Sequence, residues 1–143
     1  MRISAVPDPE DDDLDPADPL GSLCIQDEDG SEFLQGSVFL DDWFEGLLSG
    51  LRSIQNGQLE ATLELYSEGG RLTWKAAETG ATVQYKSYRG KIFQFRIVDL
   101  DAFDKEFRKA VVEFTDRYKM HKNWLKCKEL VAMRDWALNN QAG

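Results

Sequence analysis

Histidine is almost missing from this chain of 143 residues, which has one, and cysteine is scarcely commoner, with two. A zinc site of the usual kind needs about four nitrogen or sulfur ligands, so that class of centre is not expected. Cys24 and Cys127 stand far apart and neither has a CxxC neighbour, which excludes a disulfide framework and reads as two reduced thiols, one on a buried strand and one on a helix. His121 sits in "YKMHKNW" between Lys119 and Lys122, a cationic setting that works against a general base; it reads as an exposed residue at a helix break. Glycine is present, but in no GxGxxG, P-loop or GxSxG pattern, and "EGGR" at 68–71 is the turn of a hairpin. The acidic run "EDDDLDPAD" lacks the spacing, the central glycine and the closing glutamate of an EF-hand. No apolar run approaches the roughly 18 residues of a membrane span. The first ten residues, "MRISAVPDPE", lack the apolar stretch of a secretory signal, so the expected location is cytoplasmic. No catalytic set, metal or cofactor is expected from these absences, and the chain reads as a non-enzyme.

What is abundant is acid, and it is unevenly placed. Net charge is −9, yet residues 1–50 carry 14 acids against the single Arg2, while residues 51–143 carry 16 bases against 12 acids. All four prolines fall within "VPDPEDDDLDPADPL" at 6–20, among seven acids. Proline bars helix and central strand and the acids repel one another, so residues 1–20 read as a disordered acidic arm ahead of one domain over 21–143.

Hydropathy supplies the elements. "SLCIQ" and "SEFLQ" are short strands joined by "DEDG", a hairpin turn in composition. Leu40, Trp43, Phe44, Leu47, Leu48, Leu51 and Ile54 then follow steps of three and four, one apolar stripe on a helix whose other side carries Asp41, Asp42, Glu45 and Arg52. From Gln58 to Val98 the period drops to two: "QLEATLELY", "RLTWKA", "ATVQYKSY" and "KIFQFRIV" read as a four-stranded meander. Leu100, Phe103, Phe107, Ala110, Val111, Phe114 and Tyr118 form a second helical stripe, with Asp99 or Asp101 as its cap. After a break near Met120–His121, a last helix holds Trp124, Leu125, Leu130, Val131 and Trp136. The expected fold is α+β: an antiparallel sheet of five to six strands (hairpin, helix, four-stranded meander) packed by two or three helices.

One segment points toward nucleic acid. "YKSYRGK" interleaves Tyr85 and Tyr88 with Lys86, Arg89 and Lys91, and aromatic platforms beside cations are how sheets hold single strands. The helical segment 105–134 adds nine bases against four acids. Against this, the acids of the first third would repel a phosphate backbone, so a single-strand-binding sheet using Tyr85, Tyr88, Arg89 and Lys91 ranks second. A protein–protein adaptor that docks through the tryptophan-rich last helix is a third reading.

The order of elements has a likeness of its own. An acidic chain with no catalytic set, an early hairpin, the tryptophan helix "FLDDWFEGLLSGL" and then "LEATLELYSEGGRLTW" resembles the immunity proteins of bacterial contact-dependent and other polymorphic toxin systems, over roughly residues 20–118. The resemblance implies a twisted sheet backed by helices and a non-enzymatic protein that binds and blocks one cognate toxin domain. Such toxins are often nucleases with basic substrate grooves, which an acidic inhibitor can occupy as a phosphate surrogate. On that expectation Asp41, Asp42 and Glu45, with Asp27, Glu28 and Asp29 of the hairpin turn, form one acidic edge that meets the basic toxin.

Overall fold

Seven strands and three helices follow the two periodicities of the chain, in a computed structural model that describes residues 1–8 and 14–139. Strands β1 (Arg2–Pro7), β2 (Leu20–Gln26) and β3 (Glu32–Phe39) form one antiparallel sheet in that order. Helix α1 (Leu40–Gln55) follows without a loop. Strands β4 (Glu60–Leu65), β5 (Gly70–Ala76), β6 (Ala81–Lys86) and β7 (Ile92–Ile97) form a second antiparallel sheet, the expected meander. Helix α2 (Leu100–Asp116), a 3₁₀ turn at Trp124–Lys126 and helix α3 (Lys128–Leu138) complete the chain. The fold is α+β, as expected.

Two expectations about the strands and the arm are corrected. The first is the single sheet of five to six strands. Strands β3 and β7 meet through side chains instead of a hydrogen-bond ladder: the Phe33 ring lies 5.0 Å from Phe95 and 6.4 Å from Phe93, centroid to centroid. The β2–β3 ladder shifts register between Gly21 and Leu23, and Ser37 adopts φ 53°. A bulge of this kind bends and twists a strand, which re-aims β3 relative to the meander. The second correction concerns residues 1–20, expected as a disordered arm. Residues 2–7 are β1, paired with β2 from Arg2↔Gln26 to Pro7↔Gly21, with Ile3 and Ala5 turned into the core. Residues 14–19 are placed as well, and Asn123 donates from its side chain to both Asp15 carboxylate oxygens at 3.2 Å. Residues 9–13 of that stretch lie outside the described residues.

The core lies between the helices and the inner faces of both sheets. All seven residues of the first helical stripe are buried. Burying each large apolar side chain is worth roughly 1.5–3 kcal/mol, enough to hold α1 without a side-chain N-cap, which it lacks. Gly46 and Gly50, one turn apart, bring α1 close to the meander. A methyl on Gly46 would stand 3.0 Å from Leu72 Cδ1, and one on Gly50 would overlap the indole of Trp74. Helix α2 is capped as expected, with Asp99 accepting from the backbone N–H groups of Asp101 and Ala102.

Two arginines fasten α3 to α2. The Arg108 guanidinium lies over the Trp136 ring at 4.1 Å and also binds Asp104 and the Trp136 carbonyl. Arg134 donates to the Val112 carbonyl and the Thr115 hydroxyl and pairs with Asp116 at 2.8 Å. These two of the nine bases in 105–134 are therefore engaged in packing α3 on α2. His121, expected to be exposed, has a side chain only 13% accessible, 3.9 Å from the Asp15 carboxylate. Its Nδ1 accepts from the Asn123 backbone N–H.

Candidate functional site: an acidic ridge between two clefts

The outer side of α1 is a ridge because its inner side is apolar at helical spacing. That patterning leaves Asp41, Asp42, Glu45, Ser49 and Arg52 on the outside. A cleft of about 300 Å³ runs along each flank. The one between α1 and β4 is lined by Asp42, Glu45, Thr62, Glu64 and Tyr66 among others. The one between α1 and α3 is lined by Asp41, Glu45, Arg52, Glu129 and the apolar Leu48 and Trp136 among others. Glu45 is exposed and reaches both. Among the lining residues the acids are Asp41, Asp42, Glu45, Glu64 and Glu129, and Arg52 is the one cation.

Asp41 is the unusual member. Its Oδ1 is shielded from solvent and has no hydrogen-bond partner among the described residues. Burial, with the negative charges of Asp42 and Glu129, raises its carboxyl above the ordinary aspartate value. Like charges held together in this way concentrate negative potential, which an arriving cation would lower.

Asp42 has a second duty. Its Oδ2 accepts from the Ser67 backbone N–H at 2.8 Å, tying the start of α1 to the β4–β5 turn. The neighbouring Glu68 is a functional group that sequence reasoning missed. Its carboxylate accepts from Trp43 Nε1 at 2.6 Å and from the Tyr85 hydroxyl at 2.7 Å, and both donors belong to buried side chains. The only sequence signal was indirect: buried indoles and phenols need an acceptor. Burial and the Glu68 carboxylate push the Tyr85 phenol far above its ordinary range.

The structure does not bring the remaining expected residues to this ridge. Asp27, Glu28 and Asp29 occupy the β2–β3 turn, whereas α1 begins at the other end of β3, a strand of eight residues. At about 3.3 Å per residue that is most of the width of a small domain, so no single edge holds all six acids. Those of the turn are also engaged locally: Asp27 accepts from the N–H groups of Asp29 and Ser31, Asp29 accepts from Ser31, and Glu28 lies 3.4 Å from the Met1 ammonium. The alternative set is divided too. Tyr85 is buried under α1, with its ring 4.8 Å from that of Trp43, while Tyr88, Arg89 and Lys91 are exposed in and beside the β6–β7 turn. Four side chains split between core and surface make no common platform.

Other chemistry is thin among the described residues. No group of three or more His, Cys, Asp and Glu side chains is placed to hold a metal ion. Both cysteines are free and half-buried, and burial raises each thiol above its ordinary value, which works against a nucleophilic thiolate. No helix is long and apolar enough to cross a membrane. No protein-family model matches the chain, and no curated protein or solved structure is significantly similar to it.

Proposed function

We propose that the chain is a non-enzymatic immunity protein that neutralises a basic toxin domain, and that the α1 ridge and its two clefts are the surface it uses. The observation that carries this is the Asp41 carboxylate, whose Oδ1 is buried without a partner amid Asp42, Glu45 and Glu129. The backbone N–H groups of Asp41 and Asp42 offset only part of the burial, and a fold keeps such a group against its own stability where binding needs it. Lysine or arginine side chains entering the clefts would meet two or three carboxylates each, with Leu48 and Trp136 to cover their aliphatic stems. Neutralisation is then by occlusion: the inhibitor covers a groove whose cations serve the toxin's own anionic substrate. The cytoplasm, where such a toxin would act, is the matching location.

Affinity capture from the source cells at moderate salt tests this, with tagged wild-type chain beside Glu45→Lys/Glu64→Lys/Glu129→Lys. Those three side chains are exposed, so the variant is expected to fold. The expected result is a stoichiometric basic domain on the wild-type chain alone, toxic when expressed by itself and harmless beside the wild-type chain. A basic domain retained equally by the variant would remove the ridge from the account. Capture of no basic protein would remove the function.

A further inference from the structure

The meander presents a second, oppositely charged surface. Helix α1 and the core occupy its inner face, so the outer face is bare, and strand register gives its layout. Lys75, Thr82 and Arg96 lie side by side in one row across β5, β6 and β7. Thr73, Gln84 and Gln94 form the next row, continued by Thr62 on β4. Arg71 and Lys86 lead the third, which ends at the exposed Ile92. Thus four cations and no acid occupy the outward positions of β5–β7, and Arg89 and Lys91 extend the charge into the adjoining turn. Acids enter only at the margins, with Glu60 and Glu64 on β4 and Glu78 in the β5–β6 turn.

The two cation rows are four residues apart along β5, about 13 Å, with the hydroxyl and amide row between them. At the end of the sheet that carries the β4–β5 and β6–β7 turns stand two tyrosines, Tyr66 at 86% and Tyr88 at 80% exposure. Arg71 is shared with Glu64 at 3.8 Å and Arg96 binds the Thr79 carbonyl, but no hydrogen bond or ion pair among the described residues holds the Lys75 or Lys86 ammonium.

We infer that this outer face binds single-stranded nucleic acid. The cation rows would take backbone phosphates, the threonine and glutamine row base edges, and the tyrosines unstacked bases. The Tyr85 side chain plays no part, since it lies in the core. The net charge of −9 is no bar near physiological salt, because screening over about 8 Å leaves a ligand on the outer face little affected by acids across the domain. This surface adjoins the α1 ridge along β4, where Thr62, Glu64 and Tyr66 also line a ridge cleft, but Lys75, Lys86 and Tyr88 lie outside both clefts, so variants at those three test this face alone.

Anisotropy of a fluorescent oligothymidylate of about 12 nucleotides tests it with the full chain. The expected result is saturable binding that weakens roughly fifty-fold between about 50 and 200 mM salt, the fall for some four phosphates on a single strand. Lys75→Glu/Lys86→Glu should cost at least tenfold and Tyr88→Ala roughly five- to tenfold, as stacking on one base implies. Glu45→Lys/Glu129→Lys, on the α1 ridge, should not weaken binding. Three results would overturn the inference: no saturable binding at the lowest salt, the lysine variant binding as wild type, or poly-L-glutamate competing as well as unlabelled oligonucleotide. The last would assign the face to an acidic polypeptide.

Discussion

Asp41 and Glu68 are both partly buried carboxylates, and they have opposite consequences for stability. Glu68 ends two buried donors, and hydrogen bonds to a charged acceptor are worth about 1.5–3 kcal/mol. Glu68→Gln is expected to lower unfolding stability by about 2 kcal/mol by denaturant melts, since the amide presents one acceptor where the carboxylate presents two. Asp41 works the other way. Its folded pKa is raised above the unfolded value of 3.8, so ionisation weakens the folded state at neutral pH, and protonation relieves that strain as pH falls through the raised value. Asp41→Asn is therefore expected to raise the melting temperature at pH 7, with the gain fading toward about pH 4. A melting temperature lowered at neutral pH would show that the helix dipole outweighs burial and like charge at this position. Neither role was legible in the sequence. Glu68 read as turn composition, and Asp41 looked identical to Asp42 because what separates them is one N–H, that of Ser67, from a distant turn.

Among the elements, those that state their own period were legible. The α1 stripe, the α2 stripe with its Asp99 cap and the four meander strands stand where the spacing of apolar residues puts them. Strand β1 was not legible because it buries only Ile3, Ala5 and Pro7 on alternate positions, too little apolar surface to stand out beside the proline-acid run. The division into two sheets was hidden for another reason: whether β3 pairs with β7 depends on a bulge and on Phe33, not on any local repeat. The contact of α1 with the meander makes a sharper test of packing. In an isolated helix, Gly50→Ala would gain about 1 kcal/mol from propensity alone. Here the methyl meets the Trp74 indole, so the expected outcome is a loss of about 1–3 kcal/mol, as for an overfilled core. Equal or greater stability of the variant in denaturant melts would mean that α1 sits less tightly on β5.

For the whole molecule, the charge asymmetry seen along the sequence becomes an asymmetry between faces. Glu129, from the nominally basic two-thirds of the chain, joins Asp41, Asp42 and Glu45 at the ridge, and Glu64 stands at the β4 edge between that ridge and the outer face of the meander, where Arg71, Lys75, Lys86 and Arg96 look out. The imbalance is visible as a count of charge by position, but that the hairpin-turn acids stand a strand's length from those of α1 is not. A docking surface of this kind acts mainly through the rate of encounter, since complementary charge steers diffusion and salt screens it. The most direct test of the ridge is therefore the association rate of the captured basic domain with wild-type chain and with Glu45→Lys/Glu64→Lys/Glu129→Lys, by stopped flow over a range of salt. The wild-type rate is expected to fall steeply with salt, and the variant to associate at least tenfold more slowly at low salt. Equal rates with equal salt dependence would contradict it.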